Sequence, residues 1–136
     1  MLKLKFPIYF FGTFYSSLKN AIIKKNSTFT VYFSSFNLLL SYFLFKKRYF
    51  SNIMIFNLLN RSFIHITLNY HEECSSIVNI LSFYSKKNIK TVTVSKLRDL
   101  SRLERSSFIL STSRGIFNTS DAIINNVGGV ILFEIY

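Results

Sequence analysis

The sequence contains no tryptophan, one proline, one cysteine and four glycines in 136 residues, and each shortage excludes something. A lone Cys74 cannot close an internal disulfide, so this is not a disulfide-stapled secreted scaffold, and a free thiol suits a reducing compartment. Glycine is too sparse for a phosphate-cradling loop, and neither a nucleophile elbow nor a paired-histidine zinc motif occurs. His71-Glu72-Glu73-Cys74 offers ligand-type atoms at a spacing that fits no zinc pattern, and reads as a polar turn. His65 alternates with apolar neighbours and reads as a strand surface residue. The expectation is a non-enzyme, with no catalytic residue, metal, cofactor or small-molecule substrate.

Acids are also scarce, six against 17 Lys and Arg, and they are unevenly placed. Residues 1–61 carry nine basic side chains and no acid, so +9 of the +11 net charge sits in the first half. Such self-repulsion is relieved by a polyanion, either nucleic acid or an anionic membrane surface.

What is abundant is Phe (16 residues) together with Ile, Asn, Lys, Tyr and Ser, the composition an A/T-rich genome imposes, as organellar genomes often do. The longest uncharged stretch, 26–45, is just long enough to cross a bilayer. It includes Asn26, Ser27, Thr28, Thr30, Ser34, Ser35, Asn37 and Ser41, too many polar groups for a lipid-facing helix. A Phe-rich globular core is the better reading; a small basic integral membrane protein of an organelle is the alternative.

Along the chain, residues 11–25 read as an amphipathic helix and 27–33 as a strand. Ser34-Ser35 supplies an N-cap for a second helix running to about Arg48, apolar nearly all round and so expected to be mostly buried. Residues 52–59 and 63–70 read as strands around a turn at Asn60-Arg61. This is an α-β-α-β-β unit spanning 1–70, and the polar stretch 71–76 reads as a linker. A second domain, 77–136, is β-rich: a turn at Ser85-Lys86-Lys87-Asn88, a strand at 89–94, a short helix from Ser95, and strands at 107–110 and 130–135. The fold class is α+β in two small domains.

From Leu110 the chain reads LSTSRGIFNTSDAIINNVGGVILFEIY. Ser111, Thr112 and Ser113 are three adjacent small hydroxyls before Arg114 and Gly115. Asn118 can cap a helix with Asp121 three positions on, and Asn125 or Asn126 can end it left-handed. Gly128-Gly129 then permits close backbone approach. This constellation resembles the bacterial-type ribosomal protein S-eight family. That family has a Ser-Thr-Ser-Lys-Gly loop, a Thr-Asp-Arg-Glu-Ala helix start and a Gly-Gly pair before the final strand. Ser111, Thr112, Ser113 and Gly115 match outright, and Gly128 and Gly129 fall at the family's spacing. Leu18-Lys19-Asn20-Ala21 resembles the first-helix signature, and Ser34-Ser35 the start of the second helix. The chain departs from the pattern at Thr13 and Ser17 (an acid and an Arg in the family), Lys87-Asn88 (Pro-Gly), Glu104-Arg105-Ser106 (Gly-Leu-Gly), Val130 (an acid) and Phe133-Glu134 (Cys-Tyr).

The resemblance implies a structural constituent of an organellar small ribosomal subunit. Its partners would be the central domain of the small-subunit rRNA, whose assembly it supports, and neighbouring ribosomal proteins, with no membrane insertion. RNA contact would come from Ser111, Thr112, Ser113, Arg114, Gly115, Gly128 and Gly129, joined by Lys19, Asn20, Lys24, Ser34 and Ser35 of the first domain and the basic turn Lys86, Lys87 and Lys90. Small hydroxyls and glycines suit the shallow minor groove of A-form RNA, with its 2′-hydroxyls and phosphates. The drifted, Pro-poor sequence favours a mitochondrion over a plastid.

Overall fold

The computed structural model describes residues 8–71, 74–75, 77–82, 89–103 and 107–136. The chain forms two compact units, and the break between them falls between Val78 and Asn79.

The first unit runs α1 (Ile8–Ile23), β1 (Thr28–Tyr32), α2 (Ser35–Lys46), β2 (Phe50–Leu58) and β3 (Arg61–Leu68), then a short antiparallel pair of β4 (Tyr70–His71) and β5 (Cys74–Ser75). That last pairing joins Tyr70, at the end of the first domain as read, to the stretch 71–76 read as a linker. The main sheet is antiparallel in the order β1-β3-β2, with Phe29 opposite Ile66 and Val31 opposite Ile64. Strand alternation turns Phe29, Val31, Ile64, Ile66 and Leu68 inward, where they are buried along with Phe11, Phe14 and Leu18 of α1 and Leu40 and Leu44 of α2. Each such side chain contributes roughly 1.5–3 kcal/mol by leaving water. Phe14 meets Phe29 edge-on at 6.0 Å, and Phe29 meets Phe50 at 5.8 Å.

Two local readings need correction. The β2–β3 hairpin turns at Leu59-Asn60, not Asn60-Arg61. Both turn residues take positive φ (50° and 63°), as a two-residue turn compatible with strand twist requires, while Arg61 pairs with Leu58. The second expectation, that α2 would be mostly buried, fails. Leu39 is 57% exposed, Tyr42 51% and Phe45 40%. A helix laid on one face of a sheet buries a single stripe, here Phe36, Asn37, Leu40, Ser41 and Leu44, whatever the composition of its outer side. The Ser34 cap is as read: its hydroxyl accepts the Asn37 N–H at 3.1 Å.

The second unit contains β6 (Ile80–Ser82), β7 (Thr91–Val92), α3 (Val94–Leu103), β8 (Ser107–Thr112), β9 (Gly115–Asn118), α4 (Thr119–Ile124) and β10 (Gly129–Ile135). The sheet order is β6-β10-β8-β9, and β7 also pairs with β10. Its core gathers Val92, Leu97, Phe108, Leu110, Ala122 and Ile131. Leu97 of α3 is buried while Arg98 and Arg102 are exposed, so this helix turns its basic side to solvent. The strand expected at 89–94 is reduced to Thr91–Val92, because α3 already begins at Val94. Strand β9 was not anticipated; four residues between a glycine and a helix cap are too few to show alternation. The turn expected at 85–88 lies outside the described residues. Among the described residues, no helix is long and apolar enough to cross a membrane.

Candidate nucleic-acid interface

Strands β8 and β9 form a hairpin with Ser113-Arg114 at its tip. Thr112 fixes that tip from below. Its hydroxyl donates to the Gly115 carbonyl at 2.8 Å and accepts the Arg114 N–H at 3.2 Å. Gly115 sits at φ +125°, a conformation L side chains rarely adopt, although a Cβ there would meet nothing within 4 Å. Backbone conformation, not space, therefore calls for glycine at this position.

Of the three adjacent hydroxyls, only Ser113 is open. Ser111 is 2% exposed and Thr112 4%, because β8 lies between β10 and β9. Ser111 and Thr112 point to opposite faces of β8 yet both are covered, whereas Ser113, just beyond the strand, is exposed. Ser113, Arg114 and Gly115 are the exposed residues of the tip.

The glycine pair has a role within the sheet. A Cβ on Gly128 would collide with the Val92 carbonyl oxygen, and one on Gly129 with the Ser111 carbonyl oxygen. Gly129 pairs with Thr112 on one side and Val92 on the other. These glycines draw β10 close enough to support the hairpin base. Asn118 then caps α4, its side-chain oxygen accepting the Asp121 N–H at 2.8 Å. Asn126, at φ 54°, turns the chain beyond the helix.

In the first unit, Lys19 folds over the Tyr15 ring, with Nζ 5.7 Å from its centroid. Asn20 and Lys24 are exposed at the end of α1. Ser34 is committed to its cap, and Ser35 is exposed. Lys90 is exposed beside β7, and its carbonyl accepts the Ile131 N–H at 2.9 Å. Lys86 and Lys87 lie outside the described residues.

One feature of the first unit escaped the sequence reading. A cleft of about 340 Å³ is lined by Thr13 and Ser17 of α1 and by Thr30, Val31, Tyr32 and Phe63 of the sheet. Tyr32 and Phe63 lie on the outward face of β1 and β3, and nothing in sequence order brings α1 beside them.

The pattern that defines the family described as ribosomal protein S8 matches residues 11–136. The small ribosomal subunit protein uS8 of Chlorobaculum tepidum is 31% identical over 125 residues, covering 90% of this chain and 93% of its own. The uS8c protein of Bigelowiella natans is 30% identical over 131 residues, covering 92% and 96%. The uS8 protein of Chlorobium chlorochromatii is 28% identical over 120 residues, covering 88% and 90%.

Proposed function

This chain belongs to the ribosomal protein S8 family, and on that premise we propose that it binds the central domain of an organellar small-subunit rRNA and supports its assembly. Family membership makes it a structural, non-catalytic component of the small ribosomal subunit and so part of the translation machinery. The RNA reading rests above all on one observation: the exposed tip Ser113-Arg114-Gly115 stands on a sheet braced by Thr112 and by the Gly128-Gly129 approach.

A compact hydroxyl and an exposed glycine can approach a sugar–phosphate backbone that a bulkier loop would hold off. Arg114 adds a planar cation able to grip a phosphate through two N–H groups. Ser111, Thr112, Gly128 and Gly129 shape this tip rather than touch RNA. Asn20, Lys24, Ser35 and Lys90, with Lys19 and the basic pair Lys86-Lys87, supply salt-dependent positioning contacts. In this reading the two units, divided between Val78 and Asn79, are separate domains, each bringing its own contacts.

Composition supports an organelle. The preference for a mitochondrion is withdrawn, since one relative is a plastid-type protein and the others are bacterial. The membrane alternative has no support from the described helices.

The test is binding of the purified protein to a transcript of the central domain. Ser113→Trp should weaken binding at least tenfold with an unchanged circular dichroism spectrum. Unchanged affinity would remove the tip from the interface.

A further inference from the structure

We infer that the first unit carries a second RNA contact: a cleft at the β1 edge that takes one unpaired nucleobase. This rests on the reading of the protein as an rRNA binder and names a site within it.

The outward face of the β1-β3-β2 sheet bears a row of aromatic rings. Register places Tyr32 opposite Phe63, and Phe63 opposite Phe56. Tyr32 and Phe63 lie 5.3 Å apart between centroids at 31°, and Phe56 and Phe63 5.4 Å apart at 20°. The three rings therefore form a row crossing all three strands, with Phe56 and Phe63 stacked and Tyr32 tilted against Phe63. His65 meets Phe56 edge-on at 6.5 Å and lies 3.1 Å from the Thr30 hydroxyl.

The row ends at Tyr32 on the edge strand, where the side chain is 40% exposed. Beyond that end lies the cleft lined by Thr13, Ser17, Thr30, Val31, Tyr32 and Phe63. A planar base entering it would continue the row as a fourth ring. Its polar edge would then meet the hydroxyls of Thr13, Ser17 and Thr30, groups able to donate or accept.

Charge decides the class of occupant. The first unit, residues 6–78, contains seven Lys and Arg against two Glu, Glu72 and Glu73. Arg61 is exposed two residues from Phe63, hence on the same outward face of β3, where it can meet a phosphate. An aliphatic protein surface would use neither the hydroxyls nor the cations. An unstacked nucleotide uses the ring row, the hydroxyls and the cations together.

The experiment compares the full-length protein with Tyr32→Ala, Tyr32→Phe and Ser17→Trp, using a transcript of the small-subunit rRNA central domain as probe. Losing one stacked base should weaken binding roughly 5- to 150-fold in Tyr32→Ala, while Tyr32→Phe keeps the ring and stays within about twofold. Ser17→Trp, which fills the cleft without altering the row, should also weaken binding. A 4-thiouridine-substituted transcript irradiated with the wild-type protein should crosslink to the peptide containing Tyr32, a result independent of whether any variant folds. Wild-type binding with no such crosslink and unchanged affinity in folded Tyr32→Ala would overturn the cleft while leaving the rRNA reading intact. Normal RNA affinity combined with lost incorporation into subunits would assign the face to a protein neighbour and overturn it equally. A wild-type protein that ignores the transcript would remove the broader reading itself.

Discussion

The β8–β9 tip and the outward sheet face of the first unit are two surfaces suited to RNA, built in opposite ways. The tip is contiguous in sequence. Four residues from Thr112 to Gly115 make it, two hydrogen bonds to one hydroxyl hold it, and its charge is a single arginine. The sheet face is assembled from three strands, with Tyr32, Phe56 and Phe63 brought together only by register. The first offers polar, salt-sensitive contact; the second adds stacking on Tyr32, a contribution that itself depends little on ionic strength, beside the salt-sensitive contact of Arg61. A protein can thus present one contact that fixes position on the backbone and another that requires an unstacked base.

The largest effect that separates the two regions should come from Gly129→Val. Its side chain would press into the Ser111 carbonyl, and the second unit should lose about 2–4 kcal/mol. Thermal melting followed in the near ultraviolet should show that loss, whereas Tyr32→Ala on the exposed face should melt almost as wild type. Next comes Arg114→Glu, which reverses the charge at the tip. Affinity for the transcript should fall roughly ten- to hundredfold, and the slope of log affinity against log salt should become shallower by about one. Tyr32→Ala should leave that slope unchanged; a matching slope change in both variants would collapse the distinction between the surfaces.

Smaller effects follow within the tip. Thr112→Val removes the hydroxyl that serves both Gly115 and Arg114, and should cost about 1–2 kcal/mol of stability by denaturant titration. Loss of RNA affinity beyond that expected from the unfolded fraction would show that the brace orders the tip. Asn118→Ala removes the α4 cap and should cost about 1 kcal/mol with RNA affinity nearly unchanged.

How much of this was legible in the sequence follows the same division. The tip, the Asn118 cap, a left-handed Asn at 125 or 126 (it is Asn126) and the close approach at Gly128-Gly129 were all readable, because each depends on residues near one another in the chain. Which hydroxyls reach solvent was not readable. Ser111 is buried because of its neighbours β9 and β10, and β9 is too short to announce itself. The exposed side of α2 was hidden for a related reason: Leu39, Tyr42 and Phe45 look like core residues, and only the one-sided sheet leaves them outside. The cleft was least legible of all, since it needs α1 and the β1 edge side by side.

The central claim, that this protein resides on small-subunit rRNA, is tested most directly by sedimentation of the native protein from organelle lysate before and after ribonuclease. It should travel with the small subunit in low salt and shift to slow-sedimenting fractions once the RNA is digested. Retention in the membrane fraction, indifferent to nuclease and released only by detergent, would contradict it.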